Sequence, residues 1–382
     1  MIKQKVYYWC PFIGKVATIN AVINSAYSLV KYSKGKIEST IINSCGEWNY
    51  YKKEIGSKDI KFKELNNKFN INISANGFIN SRIEYLKVFF SCFFLLKKFL
   101  KKEKPDFLII HLLTSLPILL FFLYKFDTKL ILRISGKVKL NFLRRFFWNL
   151  AGRNIYRVTC PTQESVEEIN KMNIFDEFKV GYLPDPIIDI NKVSLLKKND
   201  IQKNFLGSNY FVCIGRFTKQ KNHQLLIEAF NKLKHILHDF KLLIIGEGEL
   251  KKGYIKTIKE KNLEKFIHIL DFSENIYNYL SHSSALISTS LWEDPGFVMI
   301  ESAACNTLII SSDCPSGPKE FVNQDCGILF KNNNLSDLIQ KITIYLNLSD
   351  DVKFKLKLNA KKKAIQFTKF RHFQIAKNIF QL

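Results

Sequence analysis

Five apolar runs in the second half of the chain limit its fold more than any other feature: YFVCIG (210–215), KLLIIG (241–246), FIHIL (266–270), SALISTS (284–290) and NTLIISS (306–312). Each is too short to be a buried helix and shows no polar–apolar alternation, so the strand it forms is covered on both faces. Parallel strands between two helical layers have this pattern, and helical periodicity fills the gaps between the runs. The first half repeats the scheme with KVYYWCPF (5–12), IESTIINS (37–44), DFLIIH (106–111), KLILRIS (129–135) and YRVTCPT (156–162). Between residues 183 and 209 the pattern weakens into prolines and polar residues, which predicts a linker. At 382 residues the chain exceeds one ordinary core. The expected fold class is α/β, with two doubly wound, Rossmann-like domains facing a central cleft. Their expected limits are 1–190 and 191–360, with a helix over 361–382 that packs back toward the first domain.

Lysine and arginine number 58 against 34 aspartates and glutamates, a formal net charge of +24. Much of this excess fits a solvated surface, but its distribution is uneven. Residues 128–163 hold no carboxylate, and LNFLRRFFWNLAGR within them interleaves arginines with Phe142, Phe146, Phe147 and Trp148. Two readings of residues 140–153 stand side by side: a helix meeting an anionic membrane surface, or a core-facing helix with a basic outer side. The apolar stretch 107–124 has the length of a membrane span. His111, Thr114, Ser115 and Pro117 interrupt it, however, and it divides into a strand, a loop and a helix. The eight cysteines are scattered without a C-x-x-C pair and read as reduced, buried thiols. The N-terminus lacks the pattern of a secretion signal. A cytoplasmic protein is expected, in peripheral contact with the inner face of the membrane if residues 140–153 meet lipid.

Ligands of open parallel sheets bind beyond the carboxyl ends of the strands. In the second half those ends run into RFTKQKNH, EGEL, LWEDPGFVMIE and DCPSGPKE. Gly215, Arg216 and Lys221 follow the first run, and the two cations suit phosphate oxygens. In WEDPGFVMIE a helix is expected to start near Phe297, with Gly296 leaving the backbone approachable and the first N–H groups attracting anions. Two cations and a helix start make a diphosphate site that calls for no metal. Glu301 falls one turn after Phe297 and on the same side. A carboxylate there repels phosphate but accepts hydrogen bonds from hydroxyls. Glu293 and Glu301, with seven residues between them, therefore point to a ligand with sugar, diphosphate and sugar in sequence. In isolation the two glutamates would read as a loop residue and a surface helix residue. His235 and His238 have a metal-compatible spacing, but no third ligand is evident.

The motifs GRFTKQKNHQLLIEAF, LIIGEGEL and STSLWEDPGFVMIESAACNTLIISSDCPSGPKEFV resemble the C-terminal half of the retaining glycosyltransferase family 4, whose fold is GT-B. The resemblance is specific over residues 211–330. It implies that Arg216 and Lys221 grip the donor diphosphate and that Glu293 lies near the donor sugar. It also implies that Glu301 binds the ribose hydroxyls, and that Gly296, Phe297 and Val298 form the turn at phosphate and sugar. Gly14 falls where the family has a glycine loop facing the diphosphate. His111 sits near an acceptor-side histidine of some members, although a structural role suits a lone histidine after a strand as well. The chain departs from the family at Ser135, in RISG, where many members have His-Gly or His-Asp, and at Asp271, where many have glycine.

The expected function is metal-independent, retaining transfer of a hexose or N-acetylhexosamine. The donor would be a nucleotide diphosphate sugar, with UDP favoured. The acceptor would be a glycan, lipid-linked, in the assembly of cell-surface polysaccharide of O-antigen or capsule type. In the resembled family the departing phosphate takes the acceptor proton, and no cofactor is needed. Two alternatives stay open: a catalytically silent glycosyltransferase-like subunit, or a basic binding protein for an anionic polymer such as RNA. Nucleic acid is not expected as a partner of the transferase.

Overall fold

Among the described residues, thirteen strands sort into two sheets in which every pairing is parallel. The computed structural model describes the chain except for residues 1–2, 15, 67–69, 72–77, 137, 139, 200, 202–204, 206 and 382. The first sheet contains β1 (Gln4–Trp9), β2 (Ile37–Asn43), β3 (Lys61–Glu64), β4 (Phe107–Ile110), β5 (Lys129–Arg133), β6 (Ile155–Cys160) and β7 (Val180–Tyr182), in the order 3-2-1-4-5-6-7. The second contains β8 (Asn209–Ile214), β9 (Phe240–Ile245), β10 (Ile267–Leu270), β11 (Ala285–Ser288), β12 (Leu308–Ser312) and β13 (Ile328–Phe330), in the order 10-9-8-11-12-13. The direction of winding reverses once in each sheet, between β1 and β4 and between β8 and β11. Such switch points leave a crevice beyond the carboxyl ends of the strands.

The unbroken apolar runs have the cause expected of them. In β4, Leu108 and Ile110 join a core with Val88, Cys92, Leu96 and Trp148 on one face of the sheet. Phe107 and Ile109 join a separate core on the other face, with Val22, Ile23 and Phe373. Successive side chains point to opposite faces, so a strand buried on both sides must be apolar at every position. In the second sheet, Phe211, Ile244, Ile287 and Ile310 pack against Leu226, Phe230, Leu338 and Ile342.

By internal contacts the chain divides into Met1–Ile187 together with Lys369–Leu382, and Ile188–Thr368. The helix Lys369–Phe380 belongs to the first unit, where Tyr32 meets Phe370 and Phe373 and where His372 bonds Ser25. Residues 361–368, which the sequence groups with that helix, stay in the second unit with the end of the helix Asp350–Ala364. The boundary between the units falls inside the stretch read as a linker, which also has local structure of its own. The stretch holds the helix Ile190–Leu196, capped by Asp189, and buries Ile187, Ile188 and Val193. Residues 107–124 divide into β4 and the helix Ser115–Leu123, and among the described residues no helix is long and apolar enough to cross a membrane. All eight cysteines are buried, and none forms a disulfide.

The ring of Phe211 is fully buried, with its centroid 4.9 Å from Phe240, 5.3 Å from Tyr345 and 6.0 Å from Phe230. Phe211→Ala opens a cavity at the centre of the second sheet and is expected to cost about 3–5 kcal/mol. Urea denaturation of the variant reads this cost as a lowered midpoint for the second unit, and an unchanged midpoint would contradict the packing described.

Candidate functional site

Two loops of the second unit meet at its switch point. The loop after β8 carries Lys221 and the loop after β11 carries Glu293. Lys221 Nζ donates to Glu293 Oε1 at 2.5 Å, and both side chains are largely removed from solvent. Ser290 Oγ donates to the same oxygen at 2.5 Å. Gly215 makes room for the lysine, since a Cβ there would lie 3.2–3.3 Å from the Lys221 methylenes. Backbone bonds fix the glutamate from the other side: Glu293 N donates to Pro315 O at 2.8 Å, and Ser316 N donates to Glu293 O at 3.1 Å. Gln220 completes the joint, with Leu291 N donating to its carbonyl at 2.8 Å and its own Nε2 donating to Trp292 O at 2.9 Å. The two charges lie close enough, in a dry enough place, for each to stabilise the other where either alone would be costly. With Ile214, Ser288, Gly296, Val298 and Met299, they line a small cavity at this rim.

Glu293 leads directly into the helix Phe297–Ala304, which starts where the sequence places it. Gly296 precedes it with φ of +89°, a conformation side chains disfavour, and has no side chain to cap the helix. The first-turn N–H groups of Phe297 and Val298 therefore have no partner within the helix and point toward any anion at its start. Gly317, on the neighbouring loop, has φ of +96°, and a Cβ there would lie 2.5 Å from the Pro295 carbonyl oxygen. The glycine of DCPSGPKE thus lets the loop after β12 lie against the turn before the helix. Arg216 is exposed and forms no ion pair among the described residues, so its guanidinium is open to a ligand. Of the two predicted phosphate cations, the structure holds Lys221 on Glu293 and leaves Arg216 uncommitted.

Glu301 is partly buried one turn into the helix, where Tyr277 Oη donates to its Oε1 at 3.3 Å. Burial pushes its carboxyl up from 4.5 to about 7, only partly offset by the Tyr277 hydrogen bond and the charge of Lys192. The same burial, with the Glu301 charge beside it, pushes the Tyr277 phenol up.

In the first unit, His111 and Ser135 lie at the carboxyl ends of β4 and β5 and touch, with His111 Nδ1 and Ser135 Oγ 3.2 Å apart. Ser135 is exposed, but the His111 ring is buried. It lines an internal cavity with Ser25, Arg133, Asp185 and His372, and its Nε2 has no hydrogen-bond partner among the described residues. Burial and the Arg133 charge hold it well below the usual histidine range. Arg133 is itself paired with Asp185 at 2.7 Å, a contact with no short-range signal in the sequence because the partners are 52 residues apart. Gly14 follows β1, and a Cβ there would meet nothing within 4 Å. Asp271 follows β10, where it pairs with Lys251. Sequence reading missed Ser290 and Tyr277, which bond the two glutamates, and Gln220, which holds the backbone before Glu293. The serine and threonine closing the apolar run SALISTS were the available clue to Ser290; Tyr277 carried none.

The raised Glu301 carboxyl gives a signed prediction. Between about 4.5 and 7 the folded chain holds a proton on Glu301 that the unfolded chain has lost. The associated stability is complete below the unfolded value and is lost as pH rises through the folded one. Glu301→Gln, which cannot ionise, is therefore expected to melt above the wild type at pH 8, with the gap closing near pH 5. Thermal melts at the two pH values check this, and equal gaps at both would contradict it.

Residues 197–367 match the family described as Glycosyl transferases group 1. An uncharacterized glycosyltransferase of Methanocaldococcus jannaschii is 28% identical over 63% of this chain and 62% of its own length. The Campylobacter jejuni protein named N-acetylgalactosamine-N,N'-diacetylbacillosaminyl-diphospho-undecaprenol 4-alpha-N-acetylgalactosaminyltransferase is 29% identical over 64% of this chain and 67% of its own. The chain thus spans about two thirds of the length of these relatives, and less than that of the first. In fold, it matches the crystal structure of Anabaena HepE in complex with UDP, with a TM-score of 0.75 and 14% identity over 99% of this chain and 100% of that one. Two doubly wound sheets, a candidate site at the second switch point and a family match over that same unit converge: residues 197–367 match the glycosyl transferases group 1 family, and the fold of the chain is GT-B.

Proposed function

We propose that this protein is a glycosyltransferase that moves a hexose or N-acetylhexosamine from a nucleotide diphosphate sugar, with UDP favoured, to a lipid-linked glycan in cell-surface polysaccharide assembly. One observation carries the reading. The exposed Arg216, the open first turn at Phe297 and Val298, and Glu301 one turn further on all lie at the rim of one sheet. The guanidinium and the helix start suit a diphosphate, and the carboxylate suits hydroxyls beside it. Two of the relatives described above support the substrate classes. The name of the Campylobacter protein places its acceptor on diphospho-undecaprenol, and the Anabaena structure holds UDP.

In this reading Arg216 and the helix start take up the negative charge that grows on the leaving diphosphate, the usual main source of electrostatic catalysis. Lys221 lines the small cavity at this rim, paired with Glu293. Glu293, fixed by Lys221, Ser290 and two backbone bonds, presents a rigid edge to the donor sugar. Lys221 and Ser290 both occupy Oε1 of Glu293, so that oxygen is not open to the acceptor hydroxyl. The departing phosphate then takes the acceptor proton, which accords with retention at the anomeric carbon. The cations and backbone dipoles supply the role that a divalent ion would otherwise fill, so the transfer is expected to proceed without metal. On the acceptor side, His111 acts through Ser135, the exposed member of their pair.

Release of nucleoside diphosphate from UDP-, GDP- and ADP-sugars, with EDTA present and membrane lipid extract as acceptor, tests the proposal. One nucleotide class is expected to be turned over. Arg216→Ala is expected to lower the rate roughly 100-fold, the usual cost of one transition-state charge partner. Arg216 suits the test because its removal breaks no ion pair among the described residues, whereas removing Glu293 would strand Lys221, which is largely removed from solvent. Donor binding without release would indicate a silent subunit. An Arg216→Ala rate equal to wild type would contradict the proposed site.

A further inference from the structure

The helix Phe78–Glu103 is apolar on two opposite faces. Its inner stripe, Val88, Cys92, Leu96 and Leu100, is buried in the core of the first unit. Its outer stripe runs through Leu86, Phe90, Phe94, Lys98 and Lys102, every fourth residue, and all five are exposed. Phe90 is 71% and Phe94 72% exposed, although an amphipathic surface helix carries polar residues on this side. The next helices of the same layer, Ser115–Leu123 and Phe142–Ala151, show the same surplus. Phe122, Leu123, Phe142, Phe146 and Leu150 are exposed, while Leu116, Leu120, Trp148 and Ala151 fill the shared core. One helical layer of one sheet therefore presents a run of aromatic and aliphatic side chains to its outside. Patches of this kind mark interaction surfaces.

Charge selects the partner. The three helices carry eight cations (Arg82, Lys87, Lys97, Lys98, Lys101, Lys102, Arg144 and Arg145) and two carboxylates, Glu84 and Glu103. Glu84 is buried and paired with Lys87, and Glu103 is bonded to Tyr7, so neither offsets the outer stripe. Lys98 and Lys102, at its basic end, form no ion pair among the described residues. A protein partner is the poorer fit because the buried centres of protein interfaces are depleted in lysine. Phenylalanines that enter an acyl boundary, continued by lysines at headgroup level, fit the interface of an anionic bilayer.

We infer that the outer face of the helix Phe78–Glu103, continued by Phe142, Phe146 and Leu150, is a docking surface for an anionic lipid bilayer. This extends the membrane reading of residues 140–153 to a longer helix that becomes the principal contact. It rests on the first unit alone, so it stands or falls separately from the donor site in the second. It also explains why the aromatic-basic stretch of the sequence fits both of its readings. Trp148 and Ala151 face the core, and Phe142 and Phe146 face outward on the same helix.

The test is co-sedimentation of the full chain with vesicles of phosphatidylcholine, with and without phosphatidylglycerol, comparing wild type with F90S/F94S and K98E/K102E. Unchanged melting temperatures and unchanged UDP binding would show that the variants are folded and the donor site is intact. Wild type is expected to sediment with the anionic vesicles, with each double variant weakened roughly tenfold or more. High salt is expected to weaken wild-type binding more than that of K98E/K102E. The inference fails if wild type ignores both vesicle types or if F90S/F94S sediments like wild type. It fails equally if analytical ultracentrifugation shows a dimer that F90S/F94S dissolves while no vesicle is bound.

Discussion

A lysine ammonium and a glutamate carboxylate 2.5 Å apart, both largely withdrawn from water, hold the working rim of the second unit together. Lys221 stands on the loop after β8 and Glu293 on the loop after β11, the two strands between which the sheet changes direction. Either charge would be costly there alone. The pair therefore ties the loops at a fixed separation, and Ser290 and the Pro315–Ser316 backbone fix the direction of the carboxylate. The rest of the rim follows from that joint. Gly296, which lacks a Cβ, follows the clamped loop with a positive φ, and the helix Phe297–Ala304 begins directly after it. Glu301 and the Tyr277 hydroxyl take their places one turn on. A charge pair that would be a poor source of net stability serves here to set geometry.

The arrangement divides labour among groups that looked alike in the sequence. Arg216 and Lys221 read as equivalent phosphate cations, but only Arg216 is exposed and uncommitted. Glu293 and Glu301 read as equivalent hydroxyl acceptors. The first is held as an ion pair by Lys221, while burial raises the second carboxyl to about 7. A ligand that brings hydroxyls to Glu301 would replace water around a group that folding has already partly desolvated, so less of the binding energy is spent on stripping it.

How far the sequence could be read depends on the range of the interaction involved. Central strands such as KLLIIG were legible because burial on two faces forces an unbroken apolar run. The edge strand β10 was legible from FIHIL, but β3 (KFKE), β7 (VGY) and β13 (ILF) were not, because the first two lack an apolar run and the third is only three residues long. The helix start after Gly296 was legible from the Pro-Gly pair and the apolar residues that follow. The Lys221–Glu293 pair was not, since its partners are 72 residues apart and become neighbours only once parallel strands place their loops side by side. The stretch 183–209 was legible as the junction, since the units divide between Ile187 and Ile188, but its local order was not. Its prolines and polar residues suggested a linker, yet Asp189 caps a helix there and the apolar residues around it are buried. The helix Phe78–Glu103 escaped notice because periodicity identifies a helix but does not say whether a second apolar stripe meets a neighbour or the outside.

The most direct test of the account is the affinity of the full chain for UDP, measured calorimetrically with EDTA present, for wild type, Arg216→Ala and Glu301→Gln. If the rim of the second sheet is a diphosphate site built from an uncommitted arginine and a helix start, wild type binds without metal. Arg216→Ala then binds about tenfold or more weakly, as expected on losing a charge-assisted contact, and Glu301→Gln is weakened less, since it loses hydroxyl contacts alone. An Arg216→Ala affinity equal to wild type, or binding that appears only when a divalent cation is added, would contradict the account at its centre.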